Sequence, residues 1–323
     1  MNTECSNTND LGAVSPPDSD WRDDLARRVS ALTSLRRGEP LAGRTTMRVG
    51  GPAELFAEPA SEADLAAILK FCAERRLPKF ILGRGSNLLV KDGGIRGVVL
   101  SLGHPEFARI IVEGTRLRCG AGARLKNVAQ EARRQNLAGL EFMEGIPGSV
   151  GGALRMNAGA MGSWTFDVVE SIRVMSEDGV ARELPAVEVQ VQYRSCPLLT
   201  SQIALGVVFR AVPGERVGID ARMKSFSQKR WSSQPAAPSA GCIFKNPAAV
   251  PAGKLIDDLG LKGTRVGGAR VSLEHGNFIV NEGNATARDV LELIELLRAR
   301  VRAERGIELE TEVEIVGEEC LRN

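Results

Sequence analysis

The segment 239–247 (SAGCIFKNP) carries a thiol, a cation and an amide close together, at Cys242, Lys245 and Asn246. A thiol is a usable proton donor near neutral pH, because free cysteine titrates near pKa ~8.5. The alternation of side chains predicts a strand on which Cys242 and Phe244 share a face. A buried structural cysteine behind a turn is the alternative, and for an isolated cysteine it is the commoner case. The other motifs of the chain therefore have to decide what Cys242 does.

Two glycine-rich segments indicate backbone that approaches a ligand. The segment 83–87 (GRGSN) follows a predicted strand, and its N–H groups and side-chain donors suit an anion such as a phosphate. Leu88 occupies the third glycine position of the dinucleotide fingerprint and no Walker-type Gly-Lys-Ser/Thr is present, so a tight turn explains this segment equally well.

The second glycine segment is more specific. It runs through 145–153 (GIPGSVGGA) and 157–162 (NAGAMG), with six glycines and one proline. Such a stretch is poor material for a regular helix or strand. We interpret it as backbone that lies against a planar or phosphorylated ligand, in preference to a purely structural role.

Charged candidates lie further along the chain. Arg194 follows the only tyrosine, Tyr193, and its guanidinium could bind a carboxylate or phosphate through two hydrogen bonds. A surface arginine is the alternative. The alternating segment 307–316 places four glutamates, including Glu312, on one face, where most of them are expected to face solvent. The spacing does not choose which of them points into a cleft.

Composition excludes several classes of protein. The 323 residues suffice for two or three domains, and the net charge of +2, without a basic run among aromatics, gives no indication of a nucleic-acid surface. No apolar run approaches the ~18 residues of a membrane span. Residues 1–20 are polar and predict a disordered tail on a cytoplasmic protein. Six scattered cysteines and two histidines predict reduced thiols and no metal site.

The order of predicted elements favours an α+β fold with two parts. The first part should contain helices at 20–37 and 124–136, and between them a helix that Ser61 caps, with Leu65, Ile68, Leu69 and Cys72 on one face. Its strands should lie at 79–82, 97–102, 110–119, 168–176, 180–184 and 203–210. A boundary is predicted after Pro213-Gly214. The second part should contain helices at 216–231 and 252–259, a strand at 278–280, a long helix capped by Thr286 and an alternating strand at 307–316.

Five of these features occur in the same order in one family. They are the two glycine segments, Tyr193-Arg194, the stretch 240–247 and Glu312-Val313. In these features the chain resembles the UDP-N-acetylenolpyruvoylglucosamine reductase (MurB) family over residues 44–317. The short path from Arg194 to the strand at 203 resembles the shorter of its two subtypes, which lacks a substrate-covering loop there.

The resemblance implies a fold and a reaction. Residues 44–212 would form a vanillyl-alcohol-oxidase-type FAD-binding domain of two subdomains, and residues 213–323 a substrate-binding α/β domain, after a tail at 1–20 and a helical lead-in at 21–43. NADPH would reduce FAD and leave before a UDP-sugar enolpyruvyl ether binds. Flavin N5 would then give hydride to the terminal vinyl carbon, while an acid protonates the adjacent carbon. The enzyme is expected to be a cytoplasmic monomer of peptidoglycan precursor synthesis, without nucleic-acid or membrane partners.

The resemblance also implies site residues, in three groups. The catalytic residues would be Arg194, Cys242 and Glu312. The cofactor-binding residues would be Gly83, Arg84, Gly85, Ser86, Asn87, Gly145, Ile146, Gly148, Ser149, Gly151, Gly152, Asn157, Ala158 and Gly159. The substrate-binding residues would be Tyr193, Arg230, Gln234, Lys245 and Asn246, and no metal is implied.

Cys242 stands where the family usually has a serine proton donor. The change is compatible with an inactive relative or with the same step performed by a different acid, and we favour the second. A thiol is more acidic than an alcohol, and a donor needs only reach and a proton. Because a thiolate has no proton to give, activity should fall as pH rises through the Cys242 pKa.

Two other functions remain open at this point. One is a different FAD-dependent oxidoreductase of the same fold, such as a sugar or lactone oxidase. The other is a catalytically silent flavin- or nucleotide-binding relative, against which the retained Arg194, Cys242 and Glu312 argue.

Overall fold

The structure is a computed structural model that describes residues 20–320. Within these residues the helices are α1 (Trp21–Ala26), α2 (Glu62–Arg75), α3 (Leu125–Arg134), α4 (Val150–Arg155), α5 (Leu198–Ser201), α6 (Arg216–Ser233), α7 (Ala252–Asp258) and α8 (Ala287–Arg305). No helix of this part of the chain is long and apolar enough to cross a membrane. The tail predicted at 1–20 lies outside the described residues except for Asp20, whose side chain caps α1.

The strands fall into an amino-terminal and a carboxy-terminal group. The first group is β1 (Ser34–Pro40), β2 (Pro52–Glu58), β3 (Lys79–Ile81), β4 (Leu88–Val90), β5 (Ile95–Leu100), β6 (Ile110–Glu113), β7 (Arg116–Gly120), β8 (Leu137–Ala138), β9 (Gly159–Ala160), β10 (Ser163–Trp164), β11 (Val169–Met175), β12 (Ala181–Pro185), β13 (Ile203–Arg210) and β14 (Val212–Pro213). The second group is β15 (Ser239–Cys242), β16 (Arg265–Val266), β17 (Ala269–Val271), β18 (Phe278–Asn281) and β19 (Glu314–Val316).

Two sheets build the amino-terminal part. The first has the order β1-β2-β5-β3, with β5 parallel to both β2 and β3. The second is antiparallel, with the order β12-β11-β13-β7-β6. Helices α2 and α3 contribute Leu65, Ile68, Val128 and Ala132 to one apolar core that also includes residues of both sheets. The two sheets therefore form a joined scaffold, with the first glycine segment on the turn between β3 and β4. The second glycine segment, expected to suit neither helix nor strand, contributes to both α4 and β9, and the Ser149 hydroxyl caps α4.

The helix predicted over 20–37 is wrong beyond Ala26. Residues Ser34–Pro40 instead form β1, which pairs antiparallel with β2. Gly38 adopts a φ of +62° and Pro40 has no N–H to donate, so this stretch suits an edge strand better than a helix. Leu32, expected on an apolar helix face, is 78% exposed. The lead-in predicted as helical at 21–43 thus contains α1 and, after it, an edge strand of the first sheet.

The carboxy-terminal part packs helices against a small antiparallel sheet of order β15-β18-β17-β16. Helix α8 begins with a capping box between Thr286 and Asp289 and ends at Gly306, whose φ of +67° closes the helix. Its predicted apolar stripe is confirmed as buried: Val290, Leu293, Ile294, Leu297 and Val301. This second core also takes in Met47, Val49 and Leu89 from the amino-terminal part.

The strand predicted over 307–316 is wrong in extent, because only Glu314–Val316 are a strand. The chain changes partner along this segment. Thr311 forms an isolated bridge with Phe244, and three residues later β19 pairs in parallel with β4. The last strand therefore connects the carboxy-terminal part to the segment that follows the first glycine loop.

Helix α6 packs on the amino-terminal part. Ile219 is fully buried, and the guanidinium of Arg222 contacts the buried carboxylate of Glu141 at 2.7 Å. The boundary at residue 213 remains a prediction, and these contacts favour placing α6 with the first domain.

Candidate active site

Two adjoining cavities of about 690 and 810 Å³ lie along the glycine segments; we call them the first and the second cavity. The first lies beside β2, β3 and β13, and the second extends to β15 and the end of α6. The residues in the wall between them include Gly83, Arg84, Ser149, Gly152, Arg155 and Glu314. Their combined size suits a dinucleotide and a second ligand.

The first glycine loop, 83–87, lines the second cavity along its whole length. Gly85 has a φ of +60°, and a Cβ there would lie 2.7 Å from the carbonyl oxygen of Arg44. No other residue fits this backbone without displacement. A Cβ on Gly83 would lie 3.1 Å from the Ser149 hydroxyl oxygen, so the first loop directly approaches the second.

The second glycine loop presents open backbone to both cavities. The predicted residues that line the second cavity are Gly145, Ile146, Gly148, Ser149, Gly152, Ala158 and Gly159, while Gly151 lines the first. A Cβ on Gly145 would meet no protein atom within 4 Å. The space beside this backbone is therefore available to a ligand.

Asn157 is the one predicted cofactor residue that lines neither cavity. Its side-chain oxygen accepts a hydrogen bond from the Phe166 N–H at 3.2 Å. Asn157 is also buried and has a φ of +37°. These contacts give it a role in shaping the turn after α4, and its assignment to the cofactor remains a prediction.

Cys242 lies in the wall of the second cavity and is partly exposed there. Gly241, with a φ of +77°, interrupts the pairing of β15 with β18 immediately before it. The predicted shared face of Cys242 and Phe244 is wrong, because the strand ends at Cys242 and both Ile243 and Phe244 enter the second core. The bulge thus turns the thiol towards the cavity and the next two side chains away from it.

Arg194 and Glu312 meet in the same cavity. The Arg194 Nε lies 2.9 Å from the Glu312 Oε1, as an ion pair whose N–H is not aligned for a hydrogen bond. Arg194 occupies the turn between Gln192 and Ser195 with a φ of +56°. A non-glycine residue in this conformation is costly, by about 1 kcal/mol, and such residues concentrate at functional sites.

Burial and charge together keep the Cys242 thiol protonated. Burial, the larger cause, and the charge of Glu312 together raise its pKa to about 11, although the charge of Arg194 opposes the rise. Burial also raises the pKa of Glu312, while Arg194 and Lys245 lower it. At neutral pH the site therefore presents a neutral thiol beside a cation and a carboxyl group.

Of the five predicted substrate-binding residues, two line the second cavity and three do not. Arg230 and Gln234, at the end of α6, line the second cavity, and burial lowers the pKa of Arg230. Tyr193 lies outside the lining, with 57% of its surface exposed and its ring edge-on to Trp164 at 5.8 Å. Trp164 also lies 5.8 Å from the Arg194 guanidinium.

Lys245 and Asn246 line neither cavity. The Lys245 ammonium pairs with Glu310 at 3.0 Å, and the Asn246 side-chain oxygen accepts from the Ala252 N–H at 3.1 Å, at the start of α7. Their assignment to the substrate remains a prediction.

The lining residues that the sequence analysis did not assign to the site include Arg48, Arg155, Trp231 and Glu314. Arg48 has a φ of +58°, and no glycine or asparagine there signals a turn. Arg155 and Glu314 pair over 159 positions, a separation that no local pattern reveals. With Arg84, Arg194 and Arg230, five arginines face two glutamates in the second cavity, so the site favours anionic ligands.

Comparison with known proteins supports the family resemblance seen in the sequence. The profile of the FAD binding domain matches residues 53–184, and that of UDP-N-acetylenolpyruvoylglucosamine reductase, C-terminal domain, matches residues 234–316. UDP-N-acetylenolpyruvoylglucosamine reductase 2 of Symbiobacterium thermophilum is 46% identical over 285 residues, which are 88% of this chain and 92% of that protein. The UDP-N-acetylenolpyruvoylglucosamine reductase of Clostridium novyi is 43% identical over 277 residues, 85% and 90% of the two chains.

A solved structure is also similar. The crystal structure of the UDP-N-acetylenolpyruvylglucosamine reductase from Thermus caldophilus matches with a TM-score of 0.76 and 39% identity, covering 88% of this chain and 98% of that one. The predicted α+β fold class is confirmed by this match and by the FAD-binding profile.

Proposed function

The chain belongs to the UDP-N-acetylenolpyruvoylglucosamine reductase family, and from this premise we propose that it uses NADPH and FAD to reduce the enolpyruvyl ether of UDP-N-acetylglucosamine to UDP-N-acetylmuramate. It is an FAD-dependent oxidoreductase. The observation that carries the proposed reaction is the placement of Arg194, Cys242 and Glu312 in one cavity that adjoins both glycine loops.

FAD would be held by the two glycine loops. Their open backbone, Gly145 above all, leaves room for a planar group, and Arg84 supplies a cation beside them. When bound, the reduced flavin supplies hydride to the terminal vinyl carbon of the substrate. The chain itself provides the binding surface, the charge and the proton.

Arg194 and Glu312 would act on the substrate carboxylate. As hydride arrives, negative charge spreads onto that carboxylate, and the Arg194 guanidinium stabilises it. The Glu312 carboxylate pairs with the Arg194 Nε at 2.9 Å and would keep the guanidinium in place before the substrate arrives. Preorganised charge of this kind contributes a few kcal/mol to catalysis.

Cys242 would donate the proton that completes the reduction. The pKa of about 11 keeps the proton on Sγ until the adjacent substrate carbon accepts it. The thiolate left behind regains a proton from water that enters after product release. The thiol needs no nucleophilic reactivity for this role, in accord with its burial.

The test uses the purified full-length chain with FAD. We expect NADPH oxidation that depends on the enolpyruvyl sugar nucleotide and, in heavy water, deuterium at the protonated carbon. Oxygen consumption with a simple sugar, without turnover of the sugar nucleotide, would indicate a sugar or lactone oxidase instead. A chain that binds the sugar nucleotide but no flavin would indicate a silent relative.

We also propose the monomeric state, the cytoplasmic location and the absence of nucleic-acid and membrane partners. The second cavity contains the complete set of proposed catalytic residues from a single chain, which supports an enzyme that needs no second copy. Size-exclusion chromatography with light scattering tests the monomer.

A further inference from the structure

A second ion pair lies next to Arg194 and Glu312. The Arg155 guanidinium binds both carboxylate oxygens of Glu314, at 2.5 Å and 3.1 Å. Both side chains lie in the wall between the two cavities. Since each uses its binding groups on the other, the pair presents little net charge to a ligand, and its contribution must be sought in what it holds together.

Arg155 is connected to both members of the first ion pair. Its carbonyl oxygen accepts a hydrogen bond from the Cys196 N–H at 2.9 Å, two residues beyond Arg194. Its side chain binds Glu314, two residues beyond Glu312. The segments 194–196 and 312–314 are therefore linked twice, once through Arg194 and Glu312 and once through Arg155.

The carboxy-terminal side of this link is itself tightly held. The Glu314 N–H donates to the carbonyl oxygen of Asn87 at 3.0 Å, and the Asn87 side chain donates to the carbonyl oxygen of Glu312 at 3.1 Å. A shift of Glu314 would thus move Glu312 relative to the first glycine loop. Errors of about 1 Å in catalytic geometry cost on the order of 100-fold in rate.

We propose that Arg155 and Glu314 are positioning residues that set the Arg194–Glu312 pair against Cys242. This inference rests on the proposed function, because its main measure is the turnover of the enolpyruvyl substrate. It assigns no contact with the flavin or the substrate to either residue.

The chain offers a closely matched control. Arg173 binds both oxygens of Glu62, at 3.0 Å and 2.7 Å, away from the lining of the two cavities. The side-chain exposures are 41% and 33% for Arg155 and Glu314, and 43% and 39% for Arg173 and Glu62. Because both pairs are partly exposed, breaking either one should lower the free energy of unfolding only slightly and to a similar extent.

The experiment compares Arg155→Met and Glu314→Gln with Arg173→Met and Glu62→Gln. We expect kcat to fall by about 10- to 100-fold in the first two, while the FAD Kd and the rate of flavin reduction by NADPH stay within about twofold. The control variants should keep wild-type kcat. The double exchange Arg155→Glu/Glu314→Arg should recover part of the lost kcat, because it restores an ion pair with the charges reversed. If Arg155→Met does not fold, Arg155→Lys replaces it in the comparison.

The alkylation rate of Cys242 gives a second measure that needs no turnover. In the flavin-free chain, loss of the pair should loosen the wall beside the thiol and raise this rate about threefold or more, with no change in the controls.

Unchanged kcat and alkylation in Arg155→Met would overturn the inference. A weaker FAD Kd with normal kcat at saturating FAD would also overturn it, since Arg155 would then bind the cofactor. A wild-type chain without substrate-dependent NADPH oxidation would instead refute the proposed function, and the alkylation result would still test the positioning.

Discussion

The backbone N–H of Glu312 donates to the carbonyl oxygen of Ile243 at 2.7 Å. Ile243 follows Cys242 directly, so this bond joins the backbone segments that carry two proposed catalytic residues. Burial is the larger cause of the raised pKa of Cys242, and the negative charge of Glu312 adds to it. The backbone contact therefore supports the placement of the Glu312 charge near the thiol.

Replacement of Cys242 should separate the two halves of the reaction. In Cys242→Ala the thiol proton is missing, so we expect substrate reduction to fall by about 100- to 10,000-fold. Flavin reduction by NADPH should continue, and Cys242→Ser should retain substantial turnover because a hydroxyl also carries a proton. Stopped-flow absorbance of each half-reaction measures this, with Cys320→Ala, an exposed thiol, as the control. Normal turnover in Cys242→Ala would remove Cys242 from the mechanism.

The alkaline side of the pH–rate profile should reflect Cys242. Its pKa is raised to about 11, so the thiol keeps its proton at pH values where an ordinary thiol would lose it. We expect kcat to hold through pH ~9 and to fall only as pH approaches 11. The limb should disappear in Cys242→Ser, whose hydroxyl does not titrate in this range. An alkaline limb that persists unchanged in the serine variant would assign it to another group.

The acidic side should respond to Lys245. This cation lowers the pKa of Glu312, which burial raises, so Lys245→Met should raise that pKa and move the acidic limb of kcat to higher pH. Glu310→Gln removes the partner of Lys245 but leaves its charge, and should cause no such upward shift. A higher KM without any shift of the limb would favour a direct contact between Lys245 and the substrate.

Two glycine substitutions should distinguish the stability of the fold from the affinity for FAD. Gly85→Ala forces a Cβ to within 2.7 Å of backbone at a φ of +60°, and should destabilise the chain by about 1–3 kcal/mol. Gly145→Ala meets no protein atom within 4 Å, so its stability should change by less than about 0.5 kcal/mol while its FAD Kd rises about tenfold. Thermal unfolding without FAD and flavin-fluorescence titration measure the two effects. Wild-type FAD affinity in Gly145→Ala would place the cofactor elsewhere.

The sequence predicted those elements whose signals are local. Helix α8 follows from its cap at Thr286 and its apolar stripe. Composition also singles out both glycine segments that line the cavities, but it does not predict the short helix α4 inside the second. The strand β1 was mistaken for a helix because its pairing with β2 is a tertiary contact that overrides a weak apolar period.

The sequence predicted those site residues that belong to recognisable motifs and missed those that do not. Arg194, Cys242 and Glu312 were chosen by resemblance, and the structure brings all three to one cavity. The direction of the Cys242 side chain depends on the bulge at Gly241. A prediction that assumes regular alternation of side chains along a strand cannot foresee such a bulge. Arg155 and Glu314 carry no motif, and only the folded chain joins them.

The parallel pairing of β19 with β4 has a consequence for the synthesis of the chain. The first glycine loop is translated well before the strand that pairs beside it, Glu314–Val316. A nascent chain therefore lacks one wall of the proposed cofactor pocket until residue 316 has been made. A chain stopped before residue 314 should remain colourless, even though it contains the whole segment that matches the FAD binding domain, residues 53–184.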